Sequence, residues 1–410
     1  MAILPIRFAF ALMLLSWAPV FPQEETELLN QRLARIQELR KSRPKDGLLA
    51  FYEAMTQAHL QRFPEARDCL GSLLGRGLGL VPMREFGFEP IWQDAGFQAL
   101  RKTLLAEDGG PAAEVAFRLE DPFFIPEGIA YEVRTSRHFI GSVAGKGVIQ
   151  VLPDGSSRSF SRPEDGLQAT LGLAVDGKTN RLAAVSTTFA PEEDGASAPV
   201  KRKNALFLYD LLSDSLQRRW LVEGAAQLND CAFAPDGIIY VSDTQGGTLF
   251  RVDPAAESIA RILEPGSLPG INGLAVSPQG RLYAAMSTGI ALVDLNSGGF
   301  QRLEQPNHVV SGSCDGLYWV GGDLVGVQNS VNPGRVLRFQ LAESGDRIIG
   351  QAVLQGHQHP AWHEPTTGVV VGDHLHVLAN SHIVEFLADR QFTQAADFRP
   401  PVILAIPLSP

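Results

Sequence analysis

Cysteine is scarce: Cys69, Cys231 and Cys314 are the only three in a chain of 410 residues. They cannot all pair, and their spacing fits no zinc motif, so neither a disulfide framework nor a cysteine-zinc site organises the fold. Inert buried thiols are the expectation for Cys231 and Cys314, each of which adjoins a residue of interest below. Basic charge is also short. Lys and Arg number 35 against 45 Asp and Glu, a net charge of −10, which argues against nucleic acid or an anionic membrane surface as the main partner. No G-x-S-x-G stretch occurs, so the serine elbow of the α/β-hydrolases is missing. Long apolar runs are lacking too. The stretch over residues 8–21 follows a single early Arg7, is short for a membrane span and fits the apolar region of a secretory signal. Residues 1–22 are thus expected to be a signal peptide or an uncleaved anchor, and the protein to be exported to the periplasm or secreted.

Glycine and proline, by contrast, are plentiful, at 40 and 27 residues, and most lie beyond residue 105. That composition suits many short strands joined by tight turns. Before it, residues 24–107 carry a helical period. Leu28, Leu29, Leu33, Ile36 and Leu39 recur at three- and four-residue steps, and GLLAFYEAMTQAHLQRFPEARDCLGSLLGRG reads as two antiparallel helices broken near Phe63-Pro64. This pair resembles one tetratricopeptide repeat, and EPIWQDAGFQALRKTLL reads as a closing helix from Glu89. Since about three repeats are needed for a free-standing solenoid, residues 24–107 are expected to form a small cap on a larger domain. EDGGPAA, from Glu107, reads as the linker.

From residue 108 to residue 410 the period is two. One unit recurs six times: an anchor, a short apolar strand, a turn and a second strand. The units open at Glu127 (EGIAYE), Leu171 (LGLAVD), Asn229 (NDCAFA), Asn272 (NGLAVS), Asp315 (DGLYWV) and Thr367 (TGVVVG), with anchors 44, 58, 43, 43 and 52 residues apart. Six units of this length, each worth about four strands, predict a mainly β fold, a six-bladed β-propeller preceded by the α-helical cap. A β-sandwich is the alternative, but it does not account for a sixfold repeat. EVAFRL and VILAIPL stand outside the units, and one of them is expected to complete the last blade.

The first strand of each propeller blade lines the central channel, so the anchors are predicted to converge on one mouth of it. Four of them offer a carboxylate or amide oxygen: Glu127, Asn229, Asn272 and Asp315. Two carboxylates and two amides suit a hard cation, Ca²⁺ or another divalent ion of that kind. The absence of Cys and His among them disfavours a soft metal. Brought together in a desolvated channel, Glu127 and Asp315 would repel each other without a cation between them. Asn272-Gly273 could instead be a hairpin turn, yet the turn of that unit falls later, at Ser277-Pro278-Gln279-Gly280.

Pro126-Glu127-Gly128, Leu228-Asn229-Asp230, Ile271-Asn272-Gly273 and Asp315-Gly316 resemble the blade-start motifs of the senescence marker protein/gluconolactonase (regucalcin-like) family of calcium-dependent six-bladed propellers. The resemblance spans about residues 115 to 405. It implies that Glu127, Asn272 and Asp315 ligate the metal, that Asn229 lies by metal and substrate, and that Asp315 is the general base. One position departs from the pattern: where the family's sugar lactonases carry a substrate-binding arginine, this chain has Gln227.

The expected activity is therefore hydrolysis of a lactone or related ester held in the central channel, with Glu127, Asn229, Asn272 and Asp315 around the metal and Asp315 as catalytic base. Gln227, Asn229, His359 and Glu364 are the expected substrate contacts, the last two because the loop holding His357, His359 and His363 is expected to reach over the channel mouth. A zinc site from His357 and His359 is disfavoured, and His374 and His376, alternating on one strand, are expected to pack. The alternative is an exported propeller without catalysis, holding calcium structurally and gripping a protein partner through the cap.

Overall fold

The structure is a computed structural model that describes residues 22–107, 113–145, 147–188, 203–295, 297–329, 334–388, 390–393 and 398–409. All but the last residue of the expected signal or anchor over 1–22, and most of the linker after Glu107, lie outside the described residues. Among the described residues no helix is long and apolar enough to cross a membrane.

From Glu114 to Pro407 the chain forms six antiparallel sheets of four strands each. Blade one comprises Pro126–Glu132, Arg137–Ser142, Gly147–Val151 and Ser157–Ser159, and blade two Ala169–Asp176, Arg181–Thr187, Ala205–Asp210 and Ser215–Leu221. Blade three is Leu228–Phe233, Ile239–Asp243, Thr248–Asp253 and Ser258–Arg261; blade four is Leu274–Val276, Leu282–Met286, Gly289–Asp294 and Gly299–Arg302. Blade five is Cys314–Val320, Asp323–Gln328, Arg335–Leu341 and Ile348–Gln355. The first strand of each blade touches the first strand of the next, and that of blade six returns to blade one. The ring is closed, so its sheets present only short, protected edges.

Blade six departs from the sequence expectation. Its own unit supplies Gly368–Val371 and His374–Leu378, and both flanking segments join it: Val402–Pro407 third and Glu114–Arg118 outermost. One flanking strand would have left the blade a strand short. Glu114 pairs with Ala405 and Arg118 with Val402, so residues nearly 290 apart close the ring.

Turn chemistry spaces the strands. Gly155, Gly237 and Gly280 take φ of 85°, 87° and 80° after Asp154, Asp236 and Gln279, the left-handed conformation a tight turn needs. Between blades lie apolar layers. Five of the junctions bury twelve or thirteen apolar side chains each. The junction of blades six and one buries six: Leu119, Ile129, Ile140, Val151, Leu378 and Ile403.

Four helices precede the ring: α1 (Pro22–Ser42), α2 (Gly47–His59), α3 (Phe63–Gly71) and α4 (Ala95–Glu107). Asp46 caps α2 by accepting from Leu48 N and Leu49 N, and Pro64 opens α3, which gives the break read near Phe63-Pro64. α4 starts at Ala95 rather than Glu89, because Asp94 caps it through Phe97 N at 2.7 Å. Phe51, Phe88 and Phe97 centre a core for these helices that also takes in Val310 of the ring. The Arg335 guanidinium donates to Leu78 O, and His357 Nε2 lies 2.9 Å from Val81 O. The helical segment therefore sits on blade five and the connections that flank it, at the ends of strands on the anchors' side of the ring. A fifth helix, α5 (Ile383–Ala388), belongs to the long connection inside blade six.

Candidate metal and substrate site

The anchors owe their orientation to a repeated bulge. In blades one, two, three and five the first two strands change register over the anchor and its successor: between Pro126 and Ile129, Thr170 and Leu173, Leu228 and Cys231, Cys314 and Leu317. A bulge leaves residues out of the ladder and re-aims their side chains. Glu127, Leu171, Asn229 and Asp315 are the residues so released. Asn272 and Thr367 stand just before the first strands of blades four and six.

The residue after each anchor is Gly128, Gly172, Asp230, Gly273, Gly316 or Gly368. Glycine is needed here because neighbouring inner strands nearly touch. A Cβ on Gly128 would lie 1.9 Å from Leu171 O, and one on Gly273 would lie 2.3 Å from Asp315 O. A Cβ on Gly316 would fall 2.0 Å from the Tyr318 hydroxyl, which accepts a hydrogen bond from Gly368 N and so links blades five and six. Asp230 breaks the series. Its backbone N donates to Ser242 Oγ at 2.9 Å, and its carboxylate accepts from Leu274 N of blade four at 2.8 Å.

Asn272 and Asp315 meet directly. Asn272 Nδ2 donates to Asp315 Oδ1 at 2.6 Å, and Asn329 Nδ2 donates to Asp315 Oδ2. Glu127 is held by its backbone, whose carbonyl accepts from Thr366 Oγ1 and Thr367 Oγ1 of blade six. Its side chain lies within electrostatic reach of Asp315 and Asp230, and burial together with those two anions raises its pKa well above the carboxylate range. Burial pushes Asp315 up to about 6, against the hydrogen bonds from Asn329 and Asn272, and pushes Asp230 up to about 7. The Tyr318 hydroxyl is raised as well, by burial and by all three carboxylates.

Three oxygens in this ring are buried and have no partner: Glu127 Oε2, Asn229 Oδ1 and Asn272 Oδ1. An unsatisfied buried acceptor costs about 1–3 kcal/mol, and here three stand among carboxylates that repel one another. All are hard oxygens, so the chemistry of the set fits Ca²⁺ or a similar cation, with Glu127, Asn229, Asn272 and Asp315 as its holders. Glu127, Asn229 and Asp315 are only 5, 8 and 6% exposed. The three carboxylates of Glu127, Asp230 and Asp315 do not all converge within 4.8 Å; among the described residues His363, His382 and Glu385 are the acid and histidine group that does.

Gln227 is half-buried beside the ring. Its N donates to Asp243 Oδ1 at 2.7 Å and its carbonyl accepts from Thr244 N, so Asp243 sets the approach to Asn229. His359 and Glu364 lie on the connection that enters blade six. His359 Nδ1 accepts from Ala361 N, and its ring lies within electrostatic reach of Arg118, on the outermost strand of blade six. His357 ties this connection to the helices, and Trp362 is buried between blades five and six with Nε1 donating to Gly334 O. Glu364 accepts from Val384 N at 3.2 and 3.3 Å and so caps α5, with burial and Glu385 raising its pKa to about 7. His357 Nε2 faces Val81 O, and His359 Nδ1 accepts from Ala361 N.

Asp230, Tyr318 and Asn329 were not among the residues expected from the sequence. A signal for Asp230 existed, since it stands where the other five units carry glycine. Asn329 follows a second strand, outside the repeated motif, and left none.

No family model and no curated protein matches the sequence. Solved structures do. A gluconolactonase from Xanthomonas campestris is 18% identical over 73% of this chain and 95% of its own, with a TM-score of 0.45. Regucalcin, a calcium-binding protein from Agrobacterium tumefaciens, is 16% identical over 72% and 95%, with a TM-score of 0.46. The PQQ-bound aldose sugar dehydrogenase from Streptomyces coelicolor is 16% identical over 72% and 99%, with a TM-score of 0.47.

Proposed function

We propose that the channel mouth holds a hard divalent cation, Ca²⁺ by preference, and hydrolyses a lactone or related ester. The observation that carries this reading is the set of three unpartnered buried oxygens, from Glu127, Asn229 and Asn272, at the starts of inner strands, with Asn272 bonded to the carboxylate of Asp315. When bound, the cation would supply positive charge to polarise a carbonyl oxygen.

The side chains divide the remaining work. Asn272 and Asn329 grip one oxygen each of Asp315 and fix the carboxylate plane. Asp315 takes a proton from water as the hydroxide oxygen bonds to the carbonyl carbon. The ring C–O bond then breaks, and the leaving alkoxide receives the proton back. Asn229 and Gln227 orient the substrate, and with Gln227 in place of an arginine a preference for a sugar lactone is not carried over.

The low exposure of Glu127, Asn229 and Asp315 favours a second reading, a structural cation in a propeller that turns nothing over. A panel of lactones and aryl esters, with and without chelator, separates the two. Hydrolysis is expected with Ca²⁺ and lost in Asp315→Ala. A calcium-raised melting temperature without turnover of any substrate would leave the structural reading, and full activity in Asp315→Ala would overturn the mechanism.

A further inference from the structure

Blade six carries a second cluster, apart from the channel carboxylates, formed by two loops. His363 comes from the connection that enters the blade, where its N donates to Ala379 O at 2.8 Å. His382 and Glu385 come from the start of α5, three residues apart and so on one side of its first turn. One ligand atom from each lies within 4.8 Å of the other two. The His363 and His382 ring centroids are 4.9 Å apart.

We propose that His363, His382 and Glu385 form a site for Zn²⁺ or a neighbouring late first-row ion, independent of the channel. His382 is 3% exposed, and its Nδ1 has no hydrogen-bond partner; Glu385 Oε2, also buried and unpartnered, lies 3.9 Å away. That gap is too long for a hydrogen bond but near the separation of about 3.3–3.5 Å between two ligands on a tetrahedral ion with bonds of about 2.0–2.2 Å. His363 Nε2 and Glu385 Oε1, at 2.6 Å, share a proton that the ion would replace. Coordination through His382 Nδ1 puts the ring proton on Nε2, which stands 3.4 Å from Asn380 Nδ2 and from Arg399 N. Both neighbours are donors, so that protonation gives up two long hydrogen bonds at a buried ring, a cost the bond to the ion has to exceed.

The backbone is shaped around the cluster. His382 and Glu364 hold φ of 58° and 53°, uncommon for residues with side chains and a mark of a site over-determined by its surroundings. Glu364 caps α5 and keeps its first turn against the histidines. Two imidazoles and a carboxylate are borderline donors that suit Zn²⁺ better than Ca²⁺. Three protein ligands leave one place, toward exposed His363, for water or a small anion.

The test uses the full chain, freed of transition metals and kept in saturating Ca²⁺. Titration with Co²⁺, read by its d–d absorption, should show one four-coordinate ion per chain that Zn²⁺ displaces. His363→Ala changes an exposed side chain, and it should weaken Zn²⁺ binding at least tenfold while the circular-dichroism melt stays cooperative. His382→Ala should do the same if it folds, whereas Glu127→Gln should leave Zn²⁺ binding in place. A wild-type chain that takes up neither ion, or His363→Ala binding as tightly as wild type, would overturn the proposal.

Discussion

His138 Nε2 and His376 Nδ1 lie 3.0 Å apart across the seam between the first and last blades. Their rings are nearly parallel, at 6°, with Phe117 and Tyr131 against His138. One ring must donate and the other accept, so the contact needs an unprotonated acceptor. Burial, with each ring's histidine neighbour, holds His138 down to about 3 and His376 down to about 4. The seam has the smallest apolar layer in the ring, which gives this polar contact more weight there.

Acid should therefore loosen the ring at that seam. Below the unfolded imidazole pKa of about 6.5, the unfolded chain gains protons that the folded pair refuses, so stability falls as pH drops from about 6.5 toward about 4. Urea unfolding midpoints at pH 7 and pH 4.5 should differ more in the wild type than in His376→Phe. Identical pH dependence in the two would place the acid sensitivity elsewhere.

The channel carboxylates carry the opposite sign. Asp315 and Asp230, raised to about 6 and about 7, bind more protons folded than unfolded. Without metal they favour the fold at low pH and cost stability as pH rises through those values. A cation removes that cost by taking the proton's place. The Ca²⁺-induced rise in melting temperature should thus be larger at pH 8 than at pH 5, as scanning calorimetry would show. Equal rises at both pH values would disconnect the ion from these groups.

Asp230 can be returned to the glycine that its five counterparts carry. Asp230→Gly leaves Leu274 N without its acceptor, and destabilisation of about 1–3 kcal/mol is expected. Asp230→Asn, which can still accept from Leu274 N, should recover most of it in chemical denaturation. Equal losses in the two variants would mean that charge, rather than the bridge to blade four, is what matters.

Much of the ring could be read before its coordinates, because the anchors repeat and because glycine turns punctuate the units, Asp-Gly or Gln-Gly in several of them. Glu127, Asn229, Asn272 and Asp315 were legible by register. What failed to show were contacts with no period. Asn329 reaches Asp315 from the end of a different strand, and His382 and Glu385 meet His363 only because a helix folds back inside blade six. The roles expected for His359 and Glu364 rest on closeness along the chain to Thr367, and the anchoring of their loop by Trp362 and α5 is a further contact with no period to betray it. The share of the last blade went astray for a similar reason: alternation marks a strand but not its partner.

The pairing of Glu114–Arg118 with Val402–Pro407 also bears on how the molecule is made. During synthesis the earlier strand leaves the ribosome roughly 290 residues before its mate, and until then it faces water with an open hydrogen-bonding flank. Five blades can assemble as they emerge, but the circle waits for its latch, and a nascent chain stalled short of that latch would expose a flank ready to pair with a stranger.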